Sequence, residues 1–206
     1  MKIYDVTMPI KEEMQVYKNK ESKRPKLTSD ASIIHGDSVN EMRLSINLHT
    51  GTHMDFPLHM DKEGLSSDSL QLERLITSVK VLDLTHVENQ ISEHDLKNFE
   101  IRPGDSLLFK TKNSFSEEFD HHFIALDLSG AKYLSQFKLN LIGIDGLGIE
   151  RDQSGHPTHH TLMDANIYIL EGLRLKDVPQ GTYTMYALPL KTKGTDALLL
   201  SVVLIK

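Results

Sequence analysis

The clearest periodic feature of the chain is a strict alternation of apolar and polar residues over positions 41–48. The apolar residues occupy every second position, at Met42, Leu44, Ile46 and Leu48. A period of two places them on one face of a strand, so the pattern predicts a strand with one buried face. A second short strand is predicted at 32–35, and the turn-forming residues at 36–38 would join the two as a hairpin.

Five further apolar runs have the length of strands, at 79–84, 106–110, 141–144, 167–170 and 198–205. Signals for helix starts lie between several of them. Ser92, with Asp95 three positions later, predicts a capped helix over 92–99. Asp127 predicts a cap for a helix over 128–137, and Pro157 predicts the start of a helix over 159–165. Strands separated by short helices, together with a hairpin, predict a mixed α/β domain with a largely β core.

Composition narrows the class of protein. With 206 residues, of which 39% are hydrophobic and 25% charged, the chain is expected to fold as a single domain over 1–206. A net charge of −6 argues against nucleic acid as a partner, and the basic run at 18–26 is interpreted as a solvated loop. The longest apolar stretch is too short to cross a bilayer, and the first residues do not resemble a signal peptide. We therefore expect a cytoplasmic protein with no membrane partner.

Cysteine is absent, so any metal must be held by His, Asp or Glu. The densest group of such residues is His49, His53, Asp55 and His59, all within eleven positions. A glycine at 51 and a proline at 57 disfavour a regular helix, so the segment is expected to bend and direct these side chains toward one point. Imidazole and carboxylate suit zinc, manganese or iron. A lone His-x-x-x-His pair is more often two surface histidines, but the added carboxylate and third imidazole favour a metal site.

A second candidate group lies more than a hundred positions downstream. His159 follows Pro157, and Glu171 ends the apolar run 167–170. If the chain reverses after the helix, the strand runs back beside it and brings Glu171 near His159. A buried carboxylate needs a partner, so Glu171 is expected to meet a cation or to reach solvent. A surface glutamate after a core strand is the alternative, and spacing alone does not decide between the two.

Residues 49–59 match His-Thr-Gly-Thr-His-x-Asp-x-Pro-x-His at every fixed position. This motif resembles the signature of the cyclase family of metal-dependent hydrolases, which includes bacterial kynurenine formamidase and isatin hydrolase. The resemblance extends to residues 5–7, 104–105, 143–145, 159–171 and 188–190, and so spans nearly the whole chain. It implies a swivelling β/β/α domain, in agreement with the mixed β core and flanking helices predicted above. It also implies a homodimer or a larger homo-oligomer.

The resemblance further implies which residues bind metal. These are His49, His53 and Asp55 for a first ion, and Asp55, His159 and Glu171 for a second ion in members that hold two. His59 matches the position of the catalytic acid/base. A divalent metal is expected, with zinc preferred over manganese and with one or two ions per chain.

The expected reaction is hydrolysis of an amide-type C–N bond by a metal-activated water, in an arylformamide such as N-formylkynurenine or in a cyclic amide. His59 would give a proton to the departing nitrogen, because an amine anion is too poor a leaving group to depart unassisted. Tyr17 and Phe56 are candidates for stacking on a planar small-molecule substrate. Two alternatives stay open: a metal-binding protein of the same fold without hydrolytic activity, and a cyclase acting on a polyketide-like substrate.

Some positions depart from the family pattern and leave the substrate less defined than the reaction; these are Lys18-Asn19-Lys20, Gly148, Leu199 and Ser201. Among the neighbouring histidines, only His159 has the twelve-residue separation from Glu171 that the family pattern requires. His156 and His160 are therefore not expected to bind metal. The histidines at 35, 86, 94, 121 and 122 are expected at the surface or in loops. Asp145 either approaches the site or forms a turn.

Overall fold

The computed structural model describes residues 1–206. Its strands, in chain order, are β1 (Ile3–Asp5), β2 (Lys26–Ala31), β3 (Glu41–Ser45), β4 (His53–Asp55), β5 (Ile76–Asp83), β6 (Gln90–Ile91), β7 (Ser106–Lys110), β8 (Ala125–Leu126), β9 (Leu141–Ile144), β10 (Tyr168–Glu171), β11 (Gly181–Pro189) and β12 (Ala197–Ile205). The α-helices are α1 (Glu93–Leu96), α2 (Leu128–Ser135) and α3 (Pro157–Asp164). Each of these helices is too short and too polar to cross a membrane.

Seven strands close into a barrel. The order across the main sheet is β1-β12-β11-β5-β7-β9-β10-β4, and β4 pairs again with β12. The consecutive neighbours β5, β7, β9 and β10 run parallel, and the remaining pairs are antiparallel. Closure sets β4 beside β10, with Glu171 opposite His53. Two segments that are remote in sequence therefore become neighbours in the barrel wall.

Hydrophobic cores lie on both faces of the barrel strands, because successive side chains of a strand point to opposite sides. In β7, Leu108 belongs to the core inside the barrel, whereas its neighbour Phe109 packs outward. The outer core is covered by helices, with Leu134 of α2 and Leu162 of α3 among its members. Burial on both faces explains the continuous apolar runs of the central strands. The mixed α/β fold with a β core and flanking helices is confirmed.

Most predicted elements exist close to their expected positions. The runs 106–110 and 141–144 coincide with β7 and β9, and the ends of β5, β10 and β12 differ from prediction by at most three residues. Ser92 and Asp95 form the expected capping box, although α1 is shorter than predicted. Asp127 accepts a hydrogen bond from the backbone of Gly130 at 2.8 Å, which caps α2.

The hairpin differs from the prediction in two respects. Residues 32–35 were expected to form its first strand, but Ile33–His35 is a 3₁₀ turn and β2 takes that place beside β3. The face expected to be buried is exposed, with Met42 at 64% and Leu44 at 47% of full accessibility. The reason is that this two-stranded sheet pairs with no other strand, so nothing in the chain covers its apolar face.

Candidate metal centre

Strand β4 presents two of the predicted ligands to the same side. His53 and Asp55 alternate with Met54, which points into the barrel core, and both polar side chains are buried. Nδ1 of His53 donates a hydrogen bond to the carbonyl of Gly51 at 2.9 Å. This bond leaves Nε2 as the free nitrogen, and it lies 3.3 Å from Oδ1 of Asp55. Gly51 itself has a φ of 76°, so the bend before β4 uses a conformation that favours glycine.

The second predicted group meets the first. His159 lies buried near the start of α3, and Glu171 ends β10. Nε2 of His159 is 3.7 Å from Oδ2 of Asp55 and 3.6 Å from Oε1 of Glu171. The other oxygen of Glu171 lies 3.4 Å from Nε2 of His53. We call His49, His53, Asp55, His159 and Glu171 the donor cluster.

The donor cluster fits a divalent cation. Nε2 of His53 and Oδ1 of Asp55 are buried and make no hydrogen bond of good geometry, although they lie 3.3 Å apart and Oδ1 is 2.9 Å from Nδ1 of His49. Buried polar atoms without partners are rare in folded proteins and call for an explanation such as a bound ion. The donor atoms of His53, Asp55 and Glu171 lie within 4.8 Å of one another. His59, which is not a member of the donor cluster, approaches His49 and Asp55 equally closely. Mixed nitrogen and oxygen donors of this kind suit zinc or manganese and exclude a site built on sulfur.

A glutamate that the sequence reasoning did not identify orients one of these ligands. Oε2 of Glu150 accepts hydrogen bonds from Nδ1 of His159 at 2.7 Å and from its backbone N–H at 3.0 Å. The ring then turns Nε2 toward Asp55, as in the carboxylate–histidine pairs that support metal ligands. The backbone N–H of the preceding residue, Ile149, donates to Glu171 at 2.6 Å. No spacing rule indicated Glu150, because it lies in irregular chain after β9.

A second overlooked carboxylate joins a predicted ligand to the predicted acid/base. Oδ2 of Asp196 lies 3.0 Å from Nε2 of His49 and 3.6 Å from Nδ1 of His59. The two imidazoles stack, with ring centroids 3.9 Å apart. Nδ1 of His49 is 2.9 Å from Oδ1 of Asp55, so this ring bridges two carboxylates. Asp196 just precedes β12, where the sequence drew attention only to the apolar run that follows it.

The pKa of His59 is shifted in the opposite direction from the pKa values of the buried histidines His53 and His159. Burial lowers the pKa of His59, which favours the neutral ring. Burial acts in the same direction on His53, but the neighbouring carboxylate of Asp55 outweighs it and raises the pKa of His53 to about 9. The pKa of His159 is raised as well, because the carboxylates of Asp55, Glu150 and Glu171 favour the charged ring and outweigh its desolvation. The protein without metal therefore holds protons where a cation would bind.

A pocket opens onto this cluster, and Tyr17, Lys23, Met60 and Leu147 line it beside the polar residues. Tyr17 thus lies where stacking on a substrate was predicted. Phe56 does not line this pocket. It is 1% exposed in the barrel core, with its ring centroid 6.5 Å from that of Tyr168. The basic run was interpreted as a solvated loop, but Lys23 is half-buried in the pocket wall.

The structure distinguishes His159 from its neighbours. His159 is buried, whereas His156 and His160 are exposed, and of these two only His156 borders the pocket. Asp145 is fully buried and accepts hydrogen bonds from the backbone and hydroxyl groups of Thr111 and Ser114. It therefore supports the turn after β7 rather than the donor cluster.

Comparison with known proteins gives concordant findings. The Cyclase family model matches residues 4–151. The chain is 32% identical over 163 residues to a kynurenine formamidase from Salinibacter ruber. The aligned region covers 78% of this chain and 77% of that protein. A solved structure described as a potential metal-dependent hydrolase with cyclase activity has a TM-score of 0.92 at 49% identity, covering 98% of this chain and 96% of that one. Isatin hydrolase A from Labrenzia aggregata shares the fold, with a TM-score of 0.85 at 21% identity over 99% of this chain and 93% of that one.

Proposed function

This chain belongs to the Cyclase family, and from that premise we propose that it is a metal-dependent hydrolase of amide-type C–N bonds. The observation that carries the proposal is the convergence of β4 and β10. It brings buried nitrogen and oxygen donors together and leaves Nε2 of His53 and Oδ1 of Asp55 without a hydrogen bond of good geometry. Buried polar groups with a purely structural role are usually hydrogen-bonded, so these two atoms support a bound cation.

The metal ligands in this proposal are those of the donor cluster. The first ion is assigned to His49, His53 and Asp55, and the second to Asp55, His159 and Glu171. Zinc is the favoured ion and manganese the alternative, because both accept imidazole and carboxylate. A divalent ion in such a site activates water and polarises a carbonyl oxygen.

His59 is the proposed proton carrier. Its ring stacks on His49 at the pocket wall, and its lowered pKa keeps it neutral and able to accept a proton near pH 7. It then returns the proton to the nitrogen that leaves, because an amide nitrogen departs readily only as an amine. Asp196 lies 3.6 Å from Nδ1 of His59. Its carboxylate stabilises the positive charge that the ring carries after it accepts the proton and before it returns it.

The proposed substrate class is an arylformamide, with N-formylkynurenine as the reference compound and a cyclic amide as the alternative. The relative from Salinibacter ruber is named kynurenine formamidase, which supports the formamide. Tyr17 offers an aromatic face at the pocket for a planar substrate.

A cyclase activity is the second candidate. It is favoured by the description of the solved structure at 49% identity, which names both a metal-dependent hydrolase and cyclase activity. Product mass separates the two reactions, because hydrolysis adds the elements of water to the substrate and cyclisation does not.

We also propose that the protein assembles as a homodimer or a larger homo-oligomer. The exposed hairpin of β2 and β3 supports this assembly, since Leu27 pairs with Leu44 and Met42 lies on the same face. An isolated two-stranded hairpin is marginal in water, so a second copy that covers this face would stabilise it. Light scattering should give a multiple of the chain mass of 23.4 kDa, and Leu44→Lys should lower it. A wild-type monomer would contradict the assembly.

The central experiment is elemental analysis of the purified protein followed by assay of the metal-loaded enzyme on N-formylkynurenine and isatin. We expect one or two equivalents of metal per chain, and release of an arylamine together with formate from the formamide. Asp55→Ala is expected to lose both metal and turnover. Full metal occupancy without hydrolysis of either compound would overturn the hydrolase proposal in favour of a binding protein.

A further inference from the structure

Lys23 holds a fixed position beside the donor cluster. It ends the 3₁₀ turn Glu21–Lys23, and its side chain lines the pocket together with Tyr17. The hydroxyl of Thr50 donates a hydrogen bond to the carbonyl of Lys23 at 2.7 Å. Thr50 follows His49 directly, so this bond ties the lysine to the bend that carries the ligands. The basic side chain therefore belongs to the pocket wall, and its backbone is held in place by the hydrogen bond from Thr50.

The ammonium of Lys23 has no acidic partner within 4.0 Å, whereas two other cations of the same run, Lys18 and Arg24, do. Lys18 lies 3.9 Å from Asp152, and Arg24 lies 3.3 Å from Glu21 and donates to the carbonyl of Met14. Burial lowers the pKa of Lys23, which reflects a charge that is partly withdrawn from water. Such a charge gains from an anion that enters the pocket.

The carboxylates of the pocket are occupied by other groups. Asp55 and Glu171 face histidines of the donor cluster, and Glu150 accepts a hydrogen bond from His159. Asp196, next to the pocket, faces His49 and His59. None of these carboxylates forms an ion pair with Lys23, although the charges of Glu171, Asp55 and Asp196 raise its pKa from a distance. The lysine is thus the cation of the pocket that is left for a ligand.

We propose that Lys23 binds a carboxylate of the substrate, so that the enzyme prefers arylformamides that carry an anionic group over neutral ones. The inference rests on the proposed hydrolase function and adds a substrate class to it. Nζ of Lys23 lies over the Tyr17 ring, 5.7 Å from its centroid, so the two side chains are neighbours in the pocket wall. An aromatic acid would contact both groups, with its carboxylate at the ammonium and its ring beside the tyrosine.

The experiment compares two formamides that differ by one carboxylate, N-formylanthranilate and formanilide. The metal-loaded wild type should favour the anionic compound, and Lys23→Met should lower kcat/KM for it by about 10- to 100-fold, mostly through KM, which is the range for a lost bond to a charged group. The loss for formanilide should be clearly smaller, so that the ratio of the two kcat/KM values falls. Lys23→Arg should restore part of the preference, and Lys20→Met, which removes an exposed lysine three positions away, should behave as wild type.

Two outcomes would overturn the inference. One is an equal effect of Lys23→Met on both formamides, and the other is no effect on either. If the wild type hydrolyses neither compound, the proposed function has failed, and calorimetric binding of anthranilate and aniline still decides the role of the lysine. Anthranilate should then bind the wild type more tightly than aniline, and Lys23→Met should remove the difference. If anthranilate and aniline bound with equal affinity to the wild type and also to Lys23→Met, the anion site would be contradicted.

Discussion

Glu150 accepts a hydrogen bond from Nδ1 of His159 at 2.7 Å and so decides which nitrogen of that ring faces the donor cluster. The same glutamate binds the backbone N–H of His159 and thereby holds the first turn of α3 against the segment after β9. The neighbouring N–H of Ile149 binds Glu171. One short irregular segment therefore orients both ligands that come from the second half of the chain.

Glu150→Gln tests this orienting role. The amide keeps the size of the side chain but removes its charge, and loss of such a partner typically weakens metal binding by about 10- to 100-fold. Competition with a chromogenic chelator measures the change in zinc affinity. Glu73→Gln, at an exposed position, is the matched control. Equal affinity in Glu150→Gln and wild type would show that the hydrogen bond does not support the metal.

Metal binding is expected to release protons. In the metal-free protein the pKa of His53 is raised to about 9, so this ring is protonated at about pH 7.5, and the pKa of His159 is raised as well. A ligand imidazole must be neutral, so zinc displaces protons from these rings, and its affinity rises with pH up to at least the His53 pKa of about 9.

Calorimetry of zinc binding in buffers with different ionisation enthalpies counts those protons. At about pH 7.5 we expect release of at least one proton per chain, and at about pH 10, where His53 is already neutral, fewer. Heats that do not depend on the buffer at the lower pH would mean that His53 and His159 do not exchange protons for metal.

His59→Ala separates proton transfer from metal binding. The ring borders the pocket and is not one of the assigned ligands, so the variant should retain its zinc while kcat falls by about 100-fold or more, the range for loss of a general acid/base. Elemental analysis and steady-state kinetics on the same sample measure both. A variant that binds zinc normally and turns over at the original rate would refute the role.

Gly172→Ala probes the closure of the barrel behind the site. A Cβ at this position would overlap the carbonyl of Gly51, and its φ of 69° strains any residue other than glycine. Gly194→Ala is the matched control, because its φ is 68° but a Cβ there meets nothing within 4 Å. Urea unfolding of the metal-free proteins should place the cost of Gly194→Ala at about 1 kcal/mol and that of Gly172→Ala clearly above it. Equal losses would mean that Gly51 and Gly172 are not tightly packed.

The candidate ligands on β4 could be predicted from the sequence because their pattern is local: His49, His53 and Asp55 lie within seven positions. Spacing alone did not decide the role of Glu171, and its assignment came from the family resemblance. Lys23, Glu150 and Asp196 were not assigned roles at the site, since each lies in a loop whose position depends on barrel closure. The alternation at 41–48 predicted β3 correctly but not its burial, because a pattern does not reveal whether the covering surface belongs to the same chain.

Anomalous diffraction at the zinc edge from crystals of the zinc-loaded protein tests the central claim most directly. We expect at least one peak within the donor cluster, next to Nε2 of His53 and Oδ1 of Asp55, which are buried and make no hydrogen bond of good geometry. A zinc-loaded crystal with no peak there, or with its zinc bound elsewhere, would contradict the claim that these segments converge to hold a metal.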